Sequence, residues 1–158
     1  KVIAVDVGTD QLHQKLRKEP RVELHEKLDI RDYRLPITDY SGNKEASASD
    51  SKTNNQKQII NLVLIDVSFI SLRKILPHIS TLITQNSSIV AMCKPQFEAG
   101  KDQLNKGVVK NSAQRRDILQ NFEMWLKENR FVILKKSDSA VAGEKGNVER
   151  FYLLTKIL

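Results

Sequence analysis

Cysteine is nearly absent: Cys93 is the only one in 158 residues. One thiol cannot build a disulfide framework, and it fits a reducing compartment, so the expected location is cytoplasmic. Histidine is scarce as well. His13, His25 and His78 are scattered, and beside a single cysteine they lack the spacing of a structural zinc site, so no metal is expected. No apolar run approaches the roughly 18 residues that a membrane-spanning helix needs. No segment is apolar or amphipathic enough to suggest insertion in a bilayer, so no membrane partner is expected. The opening residues, one Lys, a short apolar stretch and then Asp6, do not form a secretory leader. The six glycines never build the Gly-rich fingerprint of a nicotinamide-dependent dehydrogenase. Aromatic residues make up only 6%, and no aromatic-rich RNA-binding motif or long Lys/Arg run occurs.

Positive charge is what the chain has in excess. Twenty-six Lys and Arg stand against 19 Asp and Glu, a net of +7. Residues 1–100 hold 14 basic and 12 acidic side chains, and residues 101–158 hold 12 and 7. The excess is concentrated in the last third. A basic single-domain chain often meets a polyanion, and nucleic acid is the commonest one.

Apolar patterning points to alternating strands and helices. Val2–Val5 reads as a buried strand ending at Asp6, followed by Gly8. Thr9 or Asp10 is expected to cap a helix with Leu12 and Leu16 inward, ended by Pro20. Val22-Glu23-Leu24 is a second short strand. From about 39 to 58 the chain is Ser-, Asn- and Lys-rich, without periodicity, as a flexible loop would be. Residues 59–67 are apolar on both faces, the pattern of a central parallel strand. Leu72, Ile75, Leu76, Ile79, Leu82 and Ile83 recur at helical spacing, with Pro77 expected to kink or restart the helix. Ser88–Cys93 is another buried strand. Asn111 or Ser112 caps a helix with Ile118, Leu119, Phe122, Trp125 and Leu126 inward. Phe131–Leu134 and Val148–Leu154 have no helix between them and are expected to pair as an antiparallel hairpin at a sheet edge. The whole indicates an α/β sheet with right-handed crossovers.

In such sheets ligands bind beyond the carboxyl ends of the strands. Asp6, Asp66 and Lys94 sit at those ends, and Glu149 lies in the final hairpin. A plainer role is open to each. Asp6 could cap the next helix and Asp66 a turn, while Lys94 and Glu149 could be solvated. Cys93 reads as a small core residue.

The wording around these positions carries more. Ile65-Asp66-Val67-Ser68-Phe69-Ile70-Ser71-Leu72, Cys93-Lys94-Pro95-Gln96-Phe97-Glu98-Ala99-Gly100 and Gly146-Asn147-Val148-Glu149 closely resemble the hemolysin A family, the TlyA-like, FtsJ-related ribosomal RNA 2'-O-methyltransferases. Val5-Asp6-Val7-Gly8, with Gln11-Leu12, Leu16-Arg17 and Pro20-Arg21-Val22, is similar to that family's second-strand segment, and Lys106-Gly107-Val108-Val109 to one of its loops. The resemblance covers nearly the whole chain outside the polar stretch.

The resemblance implies a Rossmann-like class I methyltransferase sheet with helices on both faces, and S-adenosyl-L-methionine as cofactor. It implies a Lys-Asp-Lys-Glu tetrad, of which Asp66 matches the Asp, Lys94 the second Lys and Glu149 the Glu. Asp6 matches the acid that receives the cofactor's ribose hydroxyls, with Val7 beside it. Asp29 and Ile30 fall where the adenine is met, and Asp66 lies close to the methyl group. In the basic last third, Lys101, Lys106, Lys110, Arg115 and Arg116 are candidates for RNA phosphates. The implied partner is ribosomal RNA or a ribosomal subunit. The oligomeric state is left open.

The family's first strand, Gly-rich cofactor loop, first tetrad Lys and S4-type RNA-binding domain would all precede Lys1. The 158 residues are therefore expected to be a partial methyltransferase domain of a longer chain. With the first strand missing, the strands at 2–5 and 59–67 would each expose backbone and apolar groups, so the isolated chain is expected to be weakly stable and to aggregate. The rival reading is a non-catalytic RNA- or ribosome-binding relative that has lost cofactor binding.

Overall fold

The computed structural model describes residues 1–36, 59–109, 111–143 and 146–157. The polar stretch near 39–58 falls outside them. Two compact units share the chain, Lys1–Ile59 and Ile60–Leu158.

In the first unit, β1 (Val2–Asp6) and β2 (Val22–Glu26) run parallel, in register from Val2↔Val22 to Asp6↔Glu26. β1 is rich in branched apolar residues, as parallel strands require, whereas β2 alternates Val22 and Leu24 with Glu23, His25 and Glu26. The helix between them is short: α1 spans only Gln14–Arg17. Its cap is His13, whose ring nitrogen accepts the Lys15 N–H at 3.2 Å, and not Thr9 or Asp10. Asp10 takes a left-handed backbone (φ +58°) and its N–H donates to Glu26 at 2.7 Å, which holds that segment out of a helix. Leu16 is exposed, so the expected inward face does not form. Tyr33 is the one buried hydrophobic side chain among this unit's described residues, with the His25 ring edge-on at 5.2 Å.

The second unit holds a four-stranded mixed sheet in the order β3-β4-β8-β7. It is built from β3 (Leu62–Ile65), β4 (Ser88–Cys93), β7 (Phe131–Asp138) and β8 (Arg150–Lys156), with β5 (Leu104–Asn105) and β6 (Val108–Val109) forming a separate small hairpin. β3 and β4 are parallel, while β8 runs antiparallel to both β4 and β7. The expected antiparallel hairpin is thus present, with β7 on the outside. Helices α2 (Leu72–Leu82), α3 (Pro95–Glu98) and α4 (Ser112–Glu128) complete the unit. Asn111 caps α4, accepting the Gln114 N–H. The core is Leu72, Ile75, Leu76, Ile79 and Leu82 of α2, Ile118, Leu119, Phe122 and Leu126 of α4, and Ile89, Ala91, Cys93, Tyr152 and Leu154 of the sheet. Cys93 is buried and free, as expected.

Three expectations need correction here. The strand read at 59–67 is only four residues long. It pairs with β4 alone in its sheet, and Leu62 and Leu64 are 53% and 73% exposed. It is an edge strand of this sheet, and its exposed Leu62 and Leu64 match the apolar exposure expected for it without its missing neighbour. Pro77 does not restart the helix: α2 continues to Leu82 as one element. The proline lies on the exposed side, and five buried apolar residues hold the helix together around it. The last strand begins at Arg150, not Val148, which leaves Glu149 in the preceding loop. No helix among the described residues is long and apolar enough to cross a membrane.

Candidate functional site

Each parallel pair presents polar residues at its carboxyl end. In the first unit Asp6 closes β1, and one carboxylate oxygen accepts the Gly8 N–H at 2.7 Å. The Leu28 N–H bonds the Asp6 carbonyl and the Lys27 N–H bonds that of Gly8, so the segments after β1 and β2 run side by side. Val7 is exposed. Asp29 follows the end of β2 by three residues, with Ile30 next to it and half-buried. Its carboxylate is gripped by Arg31, with Nε at 2.9 Å and Nη2 at 2.6 Å, and it also accepts the Arg31 N–H.

In the second unit the ends of β3 and β4 are joined by side chains. Lys94 follows β4 directly, and its Nζ lies 2.9 Å from Asp66 Oδ1 and donates to Ser68 Oγ at 2.8 Å. The lysine side chain is 12% exposed and that of Asp66 68%. A covered amine thus meets an open carboxylate. Glu149 comes to this end through chain position: Cys93 pairs with Arg150, and Lys94 and Glu149 each lie one residue beyond that pair, outside the two strands. The loop carrying Glu149 is fastened by Asn147, a buried residue that accepts the Val109 N–H at 3.0 Å and donates to the Gly107 carbonyl at 3.2 Å.

Sequence reasoning missed several neighbours, although all lie inside the motifs quoted above. Ser68 was not assigned a role. Phe69 is 92% exposed and has φ +64°, a conformation that a bulky residue adopts only when its surroundings impose it. Its ring lies 5.4 Å from that of Phe97. Glu98 is buried: its side chain is 1% exposed. Its oxygens accept the Ser71 hydroxyl and the Leu72 N–H, each at 2.7 Å. Burial pushes its carboxyl above the usual range, while those two donors and Arg73 pull the other way.

The basic candidates separate. Lys106 is exposed in the two-residue turn of the β5–β6 hairpin, where it and Gly107 both take positive φ, as such turns demand. Lys101 lies on a 3₁₀ turn, and Lys110 lies outside the described residues. Arg116 is exposed on α4. Arg115 is engaged: it donates to the Val148 carbonyl and pairs with Asp138 at 2.7 Å. Arg150 grips the same Asp138 at 2.6 Å, and these two guanidiniums hold its carboxyl far below the usual range. A cavity of about 330 Å³ opens here, lined by Arg115, Arg116, Lys136 and Arg150 with Glu123. Among the described residues no group of three or more His, Cys, Asp or Glu side chains could hold a metal ion.

Known proteins resemble the chain along most of its length. The FtsJ-like methyltransferase family matches residues 1–156. The chain is 32% identical over 158 residues to the 23S rRNA (cytidine-2'-O)-methyltransferase TlyA of Campylobacter jejuni, covering 99% of this chain and 53% of that one. It is 33% identical over 150 residues to hemolysin A of Brachyspira hyodysenteriae, covering 94% and 55%. The solved structure called "Putative hemolysin from Streptococcus thermophilus" superimposes with a TM-score of 0.80 at 32% identity, covering 98% of this chain and 50% of that one. The chain spans about half the length of these relatives.

Proposed function

The chain belongs to the FtsJ-like methyltransferase family, and from that premise we propose that it forms part of an S-adenosyl-L-methionine-dependent enzyme that methylates ribose 2'-hydroxyls of ribosomal RNA. Residues 1–158 would then be part of its methyltransferase domain, working in the cytoplasm.

One observation carries the reading: Lys94 is covered, and its Nζ meets both Asp66 and Ser68. A ribose hydroxyl is a poor nucleophile at neutral pH, so a base must take its proton as it attacks. Asp66 and Ser68 hold the Lys94 amine in place beside the position where an incoming hydroxyl would give up its proton. Asp66 balances the lysine's positive charge, and Glu149, one residue beyond the Cys93–Arg150 pair, would orient the hydroxyl.

The donor set suits the cofactor. A carboxylate at the end of a parallel strand is a natural acceptor for ribose hydroxyls, and Asp6 has that position with only one oxygen bonded to Gly8. Val7 and Ile30 would flank the adenosine. Asp29 would meet the adenine amine only by sharing the carboxylate that Arg31 holds. When bound, the cofactor supplies a methyl group on a sulfonium, which needs no metal to be electrophilic.

An RNA substrate is supported by the basic groups and by one aromatic. Lys101, Lys106, Lys110, Arg116 and the cavity beside Arg115 would meet phosphates, and such contacts weaken with salt. Phe69 offers an exposed ring on which a base can stack. The test is transfer of labelled methyl groups to ribosomal RNA. Lys94→Ala is expected to lower turnover by about 10²- to 10⁴-fold; unchanged turnover in a folded variant removes Lys94 from the reaction.

A further inference from the structure

Resting on the role assigned to Lys94 above, we propose that Glu98 is a positioning residue, a buried clamp that fixes the loop carrying Asp66, Ser68 and Phe69 against the segment carrying Lys94. The two segments meet at two points. At one, Lys94 reaches Asp66 and Ser68. At the other, the Glu98 carboxylate takes the Ser71 hydroxyl on one oxygen and the Leu72 N–H on the other. Residues 66–71 are strung between these points, and α3 (Pro95–Glu98) sets the spacing on the opposite side.

Chemistry explains why a carboxylate is used. The Leu72 N–H belongs to the first turn of α2, where backbone donors have no partner within the helix. Ser71 caps that helix by accepting the Arg73 N–H, so its own proton is free to go to Glu98. Only an acceptor with two oxygens can take both donors at once. Arg73 Nε stands 3.4 Å away and balances the charge without a close hydrogen bond. A carboxylate so deeply buried costs free energy unless it is paired. Merely covering the core would be served by an apolar residue.

The strung loop also explains what the clamp resists. Phe69 sits in it with a left-handed backbone and almost full exposure, with the Phe97 ring 5.4 Å away. If Glu98 is released, that loop can relax, and Asp66 and Ser68 leave the lysine. A displacement of about 1 Å in a reacting constellation can cost about 10²-fold in rate.

The experiment compares Glu98→Ala, Glu98→Gln and Glu98→Asp with the wild-type enzyme, reading kcat, KM for RNA and the dissociation constant of S-adenosyl-L-methionine. Alanine is expected to lower kcat by about 10-fold or more with both binding constants within about twofold. Glutamine is expected to restore only part of kcat, above the alanine variant and below wild type, because its single oxygen can accept the Leu72 N–H while its amide nitrogen must donate to the Ser71 oxygen. If the alanine variant does not fold, the aspartate variant decides: its shorter arm cannot reach both donors, and a normal kcat in it overturns the proposal. A normal kcat in Glu98→Ala overturns it as well. So does a fall in cofactor binding that matches the fall in kcat, or a glutamine variant no better than alanine. Lys94→Ala runs alongside. If that variant turns over normally, the proposed function itself fails; if it is dead while Glu98→Ala is normal, only the clamp fails.

Discussion

The ends of β1–β2 and the ends of β3–β4 carry similar side chains and hold them by different means. Both pairs are parallel, and each places an aspartate at or just beyond the end of its first strand: Asp6 and Asp66. Around Asp6 the fastening is ionic and open to solvent in part, with Arg17 on Glu26 and Arg31 on Asp29, while Lys1 pairs with Glu23 at the other end of the strands. Around Asp66 it is covered: Lys94 is largely buried, Glu98 almost wholly so, and a packed core of α2, α4 and β4 lies behind them. A region held by exposed charges can open at little cost to the rest, which suits the binding and release of a small molecule. A region held by a core keeps reacting groups fixed, which suits a proton transfer.

The largest break in this contrast should come from the core. Phe122 is fully buried and packs on Tyr152 at 5.6 Å. Phe122→Ala is expected to cost about 3–5 kcal/mol in urea unfolding. Leu16→Ala, at an exposed position in the first unit, should stay within about 0.5 kcal/mol. Equal losses would erase the distinction.

A smaller effect is expected at the edge of the second unit. Asp138 is held by Arg115 and Arg150, and its carboxyl is far below the ordinary value. A lowered carboxyl favours the folded state above the unfolded pKa of about 4, and that stabilisation fades as pH falls through the folded value. Asp138→Asn should remove about 1 kcal/mol at pH 7, discounted because the side chain is 43% exposed, and should flatten the loss of stability below about pH 4. An unchanged acid limb would show that the two arginines do not stabilise the fold through Asp138.

The smallest effect should come from Glu26. Arg17 holds its carboxyl below the usual range, so its contribution too is present at neutral pH and lost in acid. Glu26→Gln should speed amide exchange in β1 and β2 and leave β3 and β4 untouched. Faster exchange in both pairs would mean that they do not open independently.

Much of this contrast was legible in the sequence, and the reasons are specific. Ser88–Cys93 was read with its true limits because its alternate residues Ile89, Ala91 and Cys93 are fully buried, and burial is what apolar patterning records. The inward faces of α2 and α4 are legible for the same reason, except that Trp125 of the expected α4 face is only half-buried. The stretch 59–67 reads as a central strand and lies at an edge here, because an apolar pattern tells how a strand prefers to be covered, not how many neighbours it has in a given sheet. The helix before β2 was over-read because Asp10 and Arg17 bind Glu26, nine to sixteen residues away. At the site, Asp66, Lys94 and Glu149 were found through motif resemblance and strand ends. Ser68 and Glu98 were not, since their roles depend on contacts 26 and 27 residues apart that leave no local pattern.

The proposed division of labour puts cofactor binding at Asp6 and proton removal at Lys94. It is tested most directly by measuring the dissociation constant of S-adenosyl-L-methionine and the saturated kcat in Asp6→Ala and Lys94→Ala of the same enzyme. Asp6→Ala should weaken cofactor binding by about 10-fold or more and keep kcat within about threefold, while Lys94→Ala should keep cofactor binding within about twofold and lower kcat by about 100-fold or more. Normal turnover in Lys94→Ala, or normal cofactor binding in Asp6→Ala, would contradict it.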